Sequence, residues 1–144
     1  MMISTRGRYA LRVLVDLAEN QSGAYIPLKD IVNRQHISQK YLESIMTTLS
    51  KAGLVDGVHG KGGGYRLNRE PADYTLGEIL RQTEGDLAPV ACVVPDAKPC
   101  HHSCDCGMLP VWTRLEELVN NYLDSVTLED IRSQLRESKT ANTI

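Results

Sequence analysis

The chain has 144 residues, 42% of them hydrophobic, and its 16 Lys and Arg against 18 Asp and Glu give a formal net charge of −2. That is enough chain for its own core, and no apolar run approaches the roughly 18 residues that cross a bilayer. With no basic–apolar–small leader pattern either, the sequence predicts a soluble, cytoplasmic protein without a membrane partner.

The charge is unevenly placed. Residues 1–72 carry ten Lys/Arg and six Asp/Glu, a net +4, whereas residues 73–144 carry six and twelve, a net −6. A basic first half suits a polyanionic partner.

From Ser4 or Thr5 to about Asn20, apolar residues at Ala10, Val13, Leu14, Leu17 and Ala18 share one face of a first helix. The stretch Gln21 to Ile26 breaks it. Pro27, a first-turn residue, then opens a short second helix with Leu28, Ile31 and Val32 inward, ending near Arg34. Ser38 is a natural N-cap for a third helix, whose buried stripe is Tyr41, Leu42, Ile45, Met46 and Leu49 and whose stop is Gly53. Met46 belongs to that stripe, and His36 falls in the turn as a surface or capping residue.

Two helices joined by so short a turn form either a plain helical hairpin or a helix-turn-helix. The next stretch, "LVDGVHGKGGGYRLNRE", favours the second. Its pattern changes to two strands, Leu54 to Val58 and Tyr65 to Leu67, joined by a turn with Gly60, Gly62, Gly63 and Gly64 and a cation at Lys61. A nucleotide-binding glycine loop would open a helix after a strand, but these glycines join two strands. A hairpin with a cationic tip after a helix-turn-helix is a wing. The candidate DNA contacts are therefore Ser38, Gln39, Lys40, Tyr41, Glu43 and Ser44 on the third helix, with His59, Lys61, Gly62 and Gly63 on the wing.

Thr75-Leu-Gly-Glu78 reads as a capping box for a fourth helix that ends at Gly85. Past Pro110, the stripe Val111, Leu115, Leu118, Val119 and Tyr122 marks a long fifth helix, with Glu116 and Glu117 on its solvated face. Such a stripe leaves an apolar patch unless it packs on a partner, which predicts a homodimer. Thr127 caps a last, short helix carrying Leu128, Ile131 and Leu135. The fold class is thus mainly α: a winged helix-turn-helix domain with a two-stranded wing, plus a long C-terminal dimerisation helix. The expected organisation is a DNA-binding domain over 1–85, a cysteine-rich loop over 86–108, dimerisation and final helices over 109–136, and a disordered tail over 137–144.

All four cysteines lie in "CVVPDAKPCHHSCDC", residues 92–106. A reducing compartment argues against disulfides, and so polar a loop argues against four inert buried thiols. Thiolates ligate zinc and iron–sulfur clusters alike. Structural zinc sites usually join two distant Cys-x₂₋₄-Cys pairs, whereas these gaps of seven, three and one residues close a single loop. The cysteine chemistry by itself leaves an iron–sulfur cluster, zinc and a thiol-redox switch open. No nucleophile–base or carboxylate pair has a catalytic context, so an enzyme is not expected. An iron–sulfur carrier or electron-transfer protein is a further possibility, but it would need neither wing nor recognition helix.

The strings "ISTRGRYALRVLVDLA", "ISQKYLESIMTTLSKAGLVDGVHGKGGGYRL", "TLGEILRQTEG" and "TLEDI" resemble the Rrf-two family of bacterial winged-helix regulators, from about Ile3 to Ile131. The resemblance implies a homodimer through the fifth helix on a roughly palindromic double-stranded operator. It also implies ligation of an iron–sulfur cluster, of the 2Fe–2S type, by Cys92, Cys100 and Cys106, with zinc or no cofactor as alternatives. Cys100 and Cys106 keep the family spacing, and Cys106 stands six residues before Trp112 as the family's third cysteine does. Two additional ligands used by some members are replaced here by Leu109 and Arg8. The remaining position is thus open to Cys104, His101, His102 or a partner-chain residue. On the DNA side, Glu43 matches a recognition-helix glutamate tied to operator choice. His59 stands where some members have a wing arginine, which makes Lys61 the groove-facing cation.

Overall fold

The computed structural model describes residues 3–101 and 105–141. The expectations for Cys104 and His102 fall outside them. The described chain forms helices α1 (Thr5–Glu19), α2 (Leu28–Gln35) and α3 (Gln39–Lys51), strands β1 (Val55–Val58) and β2 (Gly64–Leu67), and helices α4 (Leu76–Glu84), α5 (Leu109–Ser125) and α6 (Leu128–Ala141). It is the expected mainly helical fold with a two-stranded antiparallel wing.

Local chemistry sets the helix limits. Ser4, Ser38 and Thr75 accept the backbone N–H groups of Gly7, Tyr41 and Glu78, satisfying donors that a first turn leaves unpaired. Pro27 lies one residue outside α2, at its N-cap position rather than in its first turn. His36 closes α2 in the left-handed conformation and is exposed. Gly53, at φ +75°, lets the chain leave α3 while the Leu54 N–H returns to the Leu49 carbonyl at 3.0 Å.

The predicted capping box at Thr75 is only half made. Thr75 accepts from Glu78 N–H, but the Glu78 carboxylate takes both arms of Arg69 at 2.9 Å instead of turning back. A charged, bidentate fork outcompetes a single bond to a backbone amide. The reciprocal pair forms at the start of α6, between Thr127 and Asp130, with bonds of 2.9 and 3.1 Å.

The core gathers the inward stripes of α1 and α3 with Ile31, Leu54, Tyr74, Ile79 and Leu128. Met46 is fully buried within it. The wing pairs Val55 with Leu67 through Val58 with Gly64. The segment between α1 and α2, which the sequence marks only as a break, contributes a bridge, because Ile26 and Tyr65 exchange two backbone bonds of 2.8 and 2.9 Å. Gly64 permits this approach, since a Cβ there would sit 2.1 Å from the Ile26 carbonyl oxygen.

The last helix is longer than expected. Its backbone is helical to Ala141, so the disordered tail predicted from residue 137 is instead helix over 137–141. Arg132 donates to the Ala18 carbonyl at 3.2 Å and Lys139 pairs with Glu19 at 3.4 Å, so the polar turns of α6 are tied to α1. Its start is tied to α4 by backbone bonds from Leu76 to Val126 and from Leu128 to Tyr74. Among the described residues, no helix is long and apolar enough to cross a membrane.

Candidate nucleic-acid interface and cysteine loop

Helix α3 buries Leu42, Ile45, Met46 and Leu49 and exposes Gln39, Lys40, Glu43, Ser44 and Thr47. One face is sealed into the core, and the other is free for a ligand. Gln39 donates to Glu43 at 3.2 Å, and Thr47 donates to the Glu43 carbonyl at 2.9 Å. Glu43 and Thr47 then form one wall of an open groove of about 410 Å³, and Val58, His59 and Gly63 of the wing form the other. Lys61 and Gly62 are exposed at the wing tip. The structure therefore brings together Glu43, His59 and Gly63, with Lys61 and Gly62 at the rim and Ser38, Gln39 and Lys40 on the adjoining first turn of α3.

Two predicted residues face elsewhere. Tyr41 is half-buried, edge-on to Tyr9 of α1 with ring centres 5.9 Å apart. The Ser44 hydroxyl accepts from Arg6 at 3.0 Å, and a second arm of Arg6 reaches the Ser44 carbonyl and Thr48. Ser44 is still exposed, but it also fastens α3 to α1. Thr47 was missed, although its place one turn after Glu43 on the same face is visible in the sequence. Nothing in the sequence marks Arg6, whose partners lie 38 and 42 residues away.

On α1, Asp16 is buried at 2% exposure. It accepts from Arg34 Nε at 2.9 Å, from Arg34 Nη2 at 2.7 Å and from Gln35 Nε2 at 2.8 Å. The hydrogen bond to Asp16 raises the Arg34 pKa above its ordinary value, against an opposing effect of burial. This network locks α2 onto α1 and so fixes the turn that aims α3.

The cysteine loop leaves α4 at Gly85 and re-enters helix at Leu109. Cys92 is exposed in a 3-10 turn, Ala91–Val93, that packs against α5. Cys100 is exposed, and half-buried Cys106 accepts the Leu109 N–H at 3.3 Å through its carbonyl. His101 is exposed. Three thiols suit a soft metal or a cluster chemically. Among the described residues, however, no three His, Cys, Asp or Glu groups are gathered as a ligand set, so the expected trio of Cys92, Cys100 and Cys106 is not assembled there.

Below the loop, α4 and α5 are clamped together. Arg81 holds Asp124 through bonds of 2.8 and 2.9 Å and Asn120 through one of 2.8 Å. Gly77 leaves room for that carboxylate, because a Cβ would lie 2.0 Å from Asp124 Oδ1. The bond to Asp124 also raises the Arg81 pKa. Both ends of the cysteine loop are thus anchored on helices in fixed contact.

A polar helix face beside a glycine-rich wing, carried on a three-helix core, defines a winged helix-turn-helix regulator. A sequence model of the Rrf2 (Rrf-two) family, described as iron-dependent transcriptional regulator, matches residues 3–134, and the chain belongs to that family. It is 38% identical over 133 residues to the transcriptional regulator CymR of Bacillus subtilis, covering 92% of this chain and 91% of CymR. The solved structure of that protein, titled the global cysteine regulator, superposes with a TM-score of 0.74 at 37% identity, over 93% of this chain and 98% of that one. The structure of IscR from T. potens superposes at 0.76 with 35% identity, over 96% and 90% of the two chains. An oxidized form of Staphylococcus aureus CymR superposes at 0.70 with 31% identity, over 92% and 96%. These relatives are transcriptional regulators, and regulators of this family bind DNA.

Proposed function

We propose that the protein is a homodimeric transcription regulator whose operator affinity responds to chemistry at the cysteine loop. The observation that carries this reading is the shared groove, in which Glu43 and Thr47 of α3 face His59 and Gly63 of the wing. A B-DNA major groove about 12 Å wide admits a helix. With α3 seated there, Gln39, Lys40 and Glu43 reach base edges and phosphates, and Lys61 lies along the backbone or in the minor groove. Glu43 acts by discrimination, since a carboxylate near phosphates disfavours sites that do not satisfy it.

One short helix reads few bases, so two copies on a two-fold axis supply the specificity. Helix α5 supports that assembly. None of its residues is fully buried, and Val111, Leu118 and Tyr122 are 50%, 50% and 67% exposed along one stripe. A second α5 covers this stripe in the dimer.

The loop acts on the relation between head and dimer helix. Cys92 lies in the turn that packs against α5, Cys106 lies three residues before that helix, and Arg81 ties α5 to α4. Cys92, Cys100 and Cys106, with Cys104 or a histidine, would hold an iron–sulfur cluster. When bound, such a cluster supplies redox-responsive thiolate-ligated iron. A second reading rests on the exposure of Cys92 and Cys100: the bare thiols are open to oxidants, and a related protein, CymR of Staphylococcus aureus, has been solved in an oxidized form.

Protein purified without oxygen, with its absorption spectrum and its iron and sulfide content, separates the two. Brown protein with sulfide supports the cluster, and colourless protein whose DNA affinity changes on thiol oxidation supports the second. Selection from random duplexes tests the DNA reading, and failure to enrich any sequence would overturn it.

A further inference from the structure

The wing is a hairpin of two four-residue strands with a glycine-rich, exposed tip, and two strands alone are marginally stable in water. Residues 23–26, in the segment between α1 and α2, hold it from one side. Ile26 and Tyr65 form the bridge already described. One residue further along β2, Arg66 Nη1 donates to the Gly23 carbonyl at 3.0 Å, and the same guanidinium lies 4.3 Å from the Tyr25 ring centre. A guanidinium suits this place because it stacks by its face on a ring while its edge donates to a carbonyl.

Successive side chains of a strand face opposite ways. Tyr65 lines the groove shared with α3, whereas Arg66 lines a separate hollow with Gln21, Gly23 and Leu67. Arg66 thus has no place in the walls of the groove. Its contacts instead tie the middle of β2 to a segment that leads straight into α2, the first helix of the helix-turn-helix. Lys61, at the tip, lies about three strand residues beyond Arg66, or roughly 10 Å at the rise of a strand. A tilt of roughly 10° over that length moves the tip by about 2 Å, enough to break a hydrogen-bonded contact of about 3 Å.

We propose that Arg66, braced by Tyr25 and the Gly23 carbonyl, is the strut that positions the wing, so that the cation at Lys61 meets the duplex. The inference rests on the DNA-binding reading above. Arg66 touches no DNA in this arrangement and acts through the wing as a positioning residue. The bridge at Ile26 joins wing and head through one pair of residues, and the strut supplies the second point that opposes tilt.

The test is a salt titration, from 50 to 200 mM KCl, of binding to a mixed-sequence 40-base-pair duplex by full-length protein. Arg66→Gln and Tyr25→Leu should each lower the log–log slope by up to about one unit, as far as Lys61→Ala does. Affinity at 0.1 M salt should fall roughly three- to tenfold, because a phosphate contact contributes a slope near 0.9. Tyr25→Phe keeps the ring and should bind as wild type does. A loss of stability alone would leave the slope unchanged. In Lys61→Ala protein, adding Arg66→Gln should cost less than about twofold more, since residues that serve one contact are not additive. Unchanged slopes in both Arg66→Gln and Tyr25→Leu would overturn the strut. So would a slope that Arg66→Gln lowers further in Lys61→Ala protein while Tyr25→Leu leaves it intact, because Arg66 would then meet phosphate itself. Wild-type protein with no salt-dependent duplex binding would sink the DNA reading and the proposal with it, a result distinct from a strut that fails alone.

Discussion

Tyr74→Phe removes one oxygen from the centre of the head and leaves the ring in place. Tyr74 is fully buried. Its hydroxyl donates to the Leu54 carbonyl at 2.7 Å and accepts the Asn68 N–H at 3.0 Å. Those two bonds tie the exit of α3 to the residue that follows β2, and so fix the root of the wing. The variant leaves both backbone groups without this partner. At about 0.5–1.5 kcal/mol per neutral bond, with some desolvation added, the expected loss is about 1–3 kcal/mol, or roughly 3–10 °C in Tm for a chain of this length.

The same oxygen has a pH signature. Burial pushes the Tyr74 hydroxyl above its ordinary pKa of 10.0, outweighing the Asn68 bond and the Arg69 charge, which act the other way. The folded state therefore holds this proton more tightly than the unfolded one. The stability so contributed is present below pH 10 and is lost as pH rises from 10 through the folded-state value. Urea unfolding followed by far-ultraviolet circular dichroism, at pH 7.5 and 10.5, reads both effects. The gap between wild type and variant should be at least 1 kcal/mol at neutral pH and should narrow at pH 10.5. A neutral gap under about 0.5 kcal/mol, or one that widens with pH, would refute the reasoning.

Other perturbations test the remaining parts of the molecule. Asp16→Ala should cost about 2–4 kcal/mol by urea unfolding, below the range for a wholly buried pair because the Arg34 side chain is 37% exposed and can reach water; a cost under 1 kcal/mol would show that α2 does not depend on this network. Lys61→Ala should weaken duplex binding regardless of sequence and lower the salt slope by about one unit, and an unchanged slope would remove the wing tip from the interface. Leu118→Glu puts a charge on the exposed α5 stripe and should give a monomer by sedimentation with helical content retained. A dimer of wild-type stability would place the interface elsewhere.

The sequence by itself determined the elements and their order. Helical spacing of Ala10 through Ala18 and of Leu42 through Leu49 marked the two helices that form most of the core, and side-chain caps at Ser4, Ser38 and Thr75 marked where helices begin. Those signals are local, set by neighbours within a turn or two, so they can be read without the fold. The wing was legible for the same reason, since the four glycines between two short β patterns answer to backbone sterics alone.

Gln39, Lys40 and Glu43 were legible as an outward face, because they lie opposite the buried stripe that helical periodicity defines. What only the tertiary structure decided involves partners far apart in sequence: Arg6 on Ser44 and Thr48, Asp16 with Arg34, Tyr74 on Leu54, and Arg81 on Asp124. Glu78 belongs with these. Its spacing from Thr75 predicted a cap, but Arg69, reached through the turn after β2, offered a stronger bond. The length of α6 was hidden likewise, since a polar run from Glu137 has no inward stripe and is tied through Arg132 and Lys139 to a helix more than a hundred residues earlier. The cysteine spacing named a soft-ligand loop and no more. Where three thiols meet depends on the path of a loop without periodicity, and spacing along a chain does not fix distance across it.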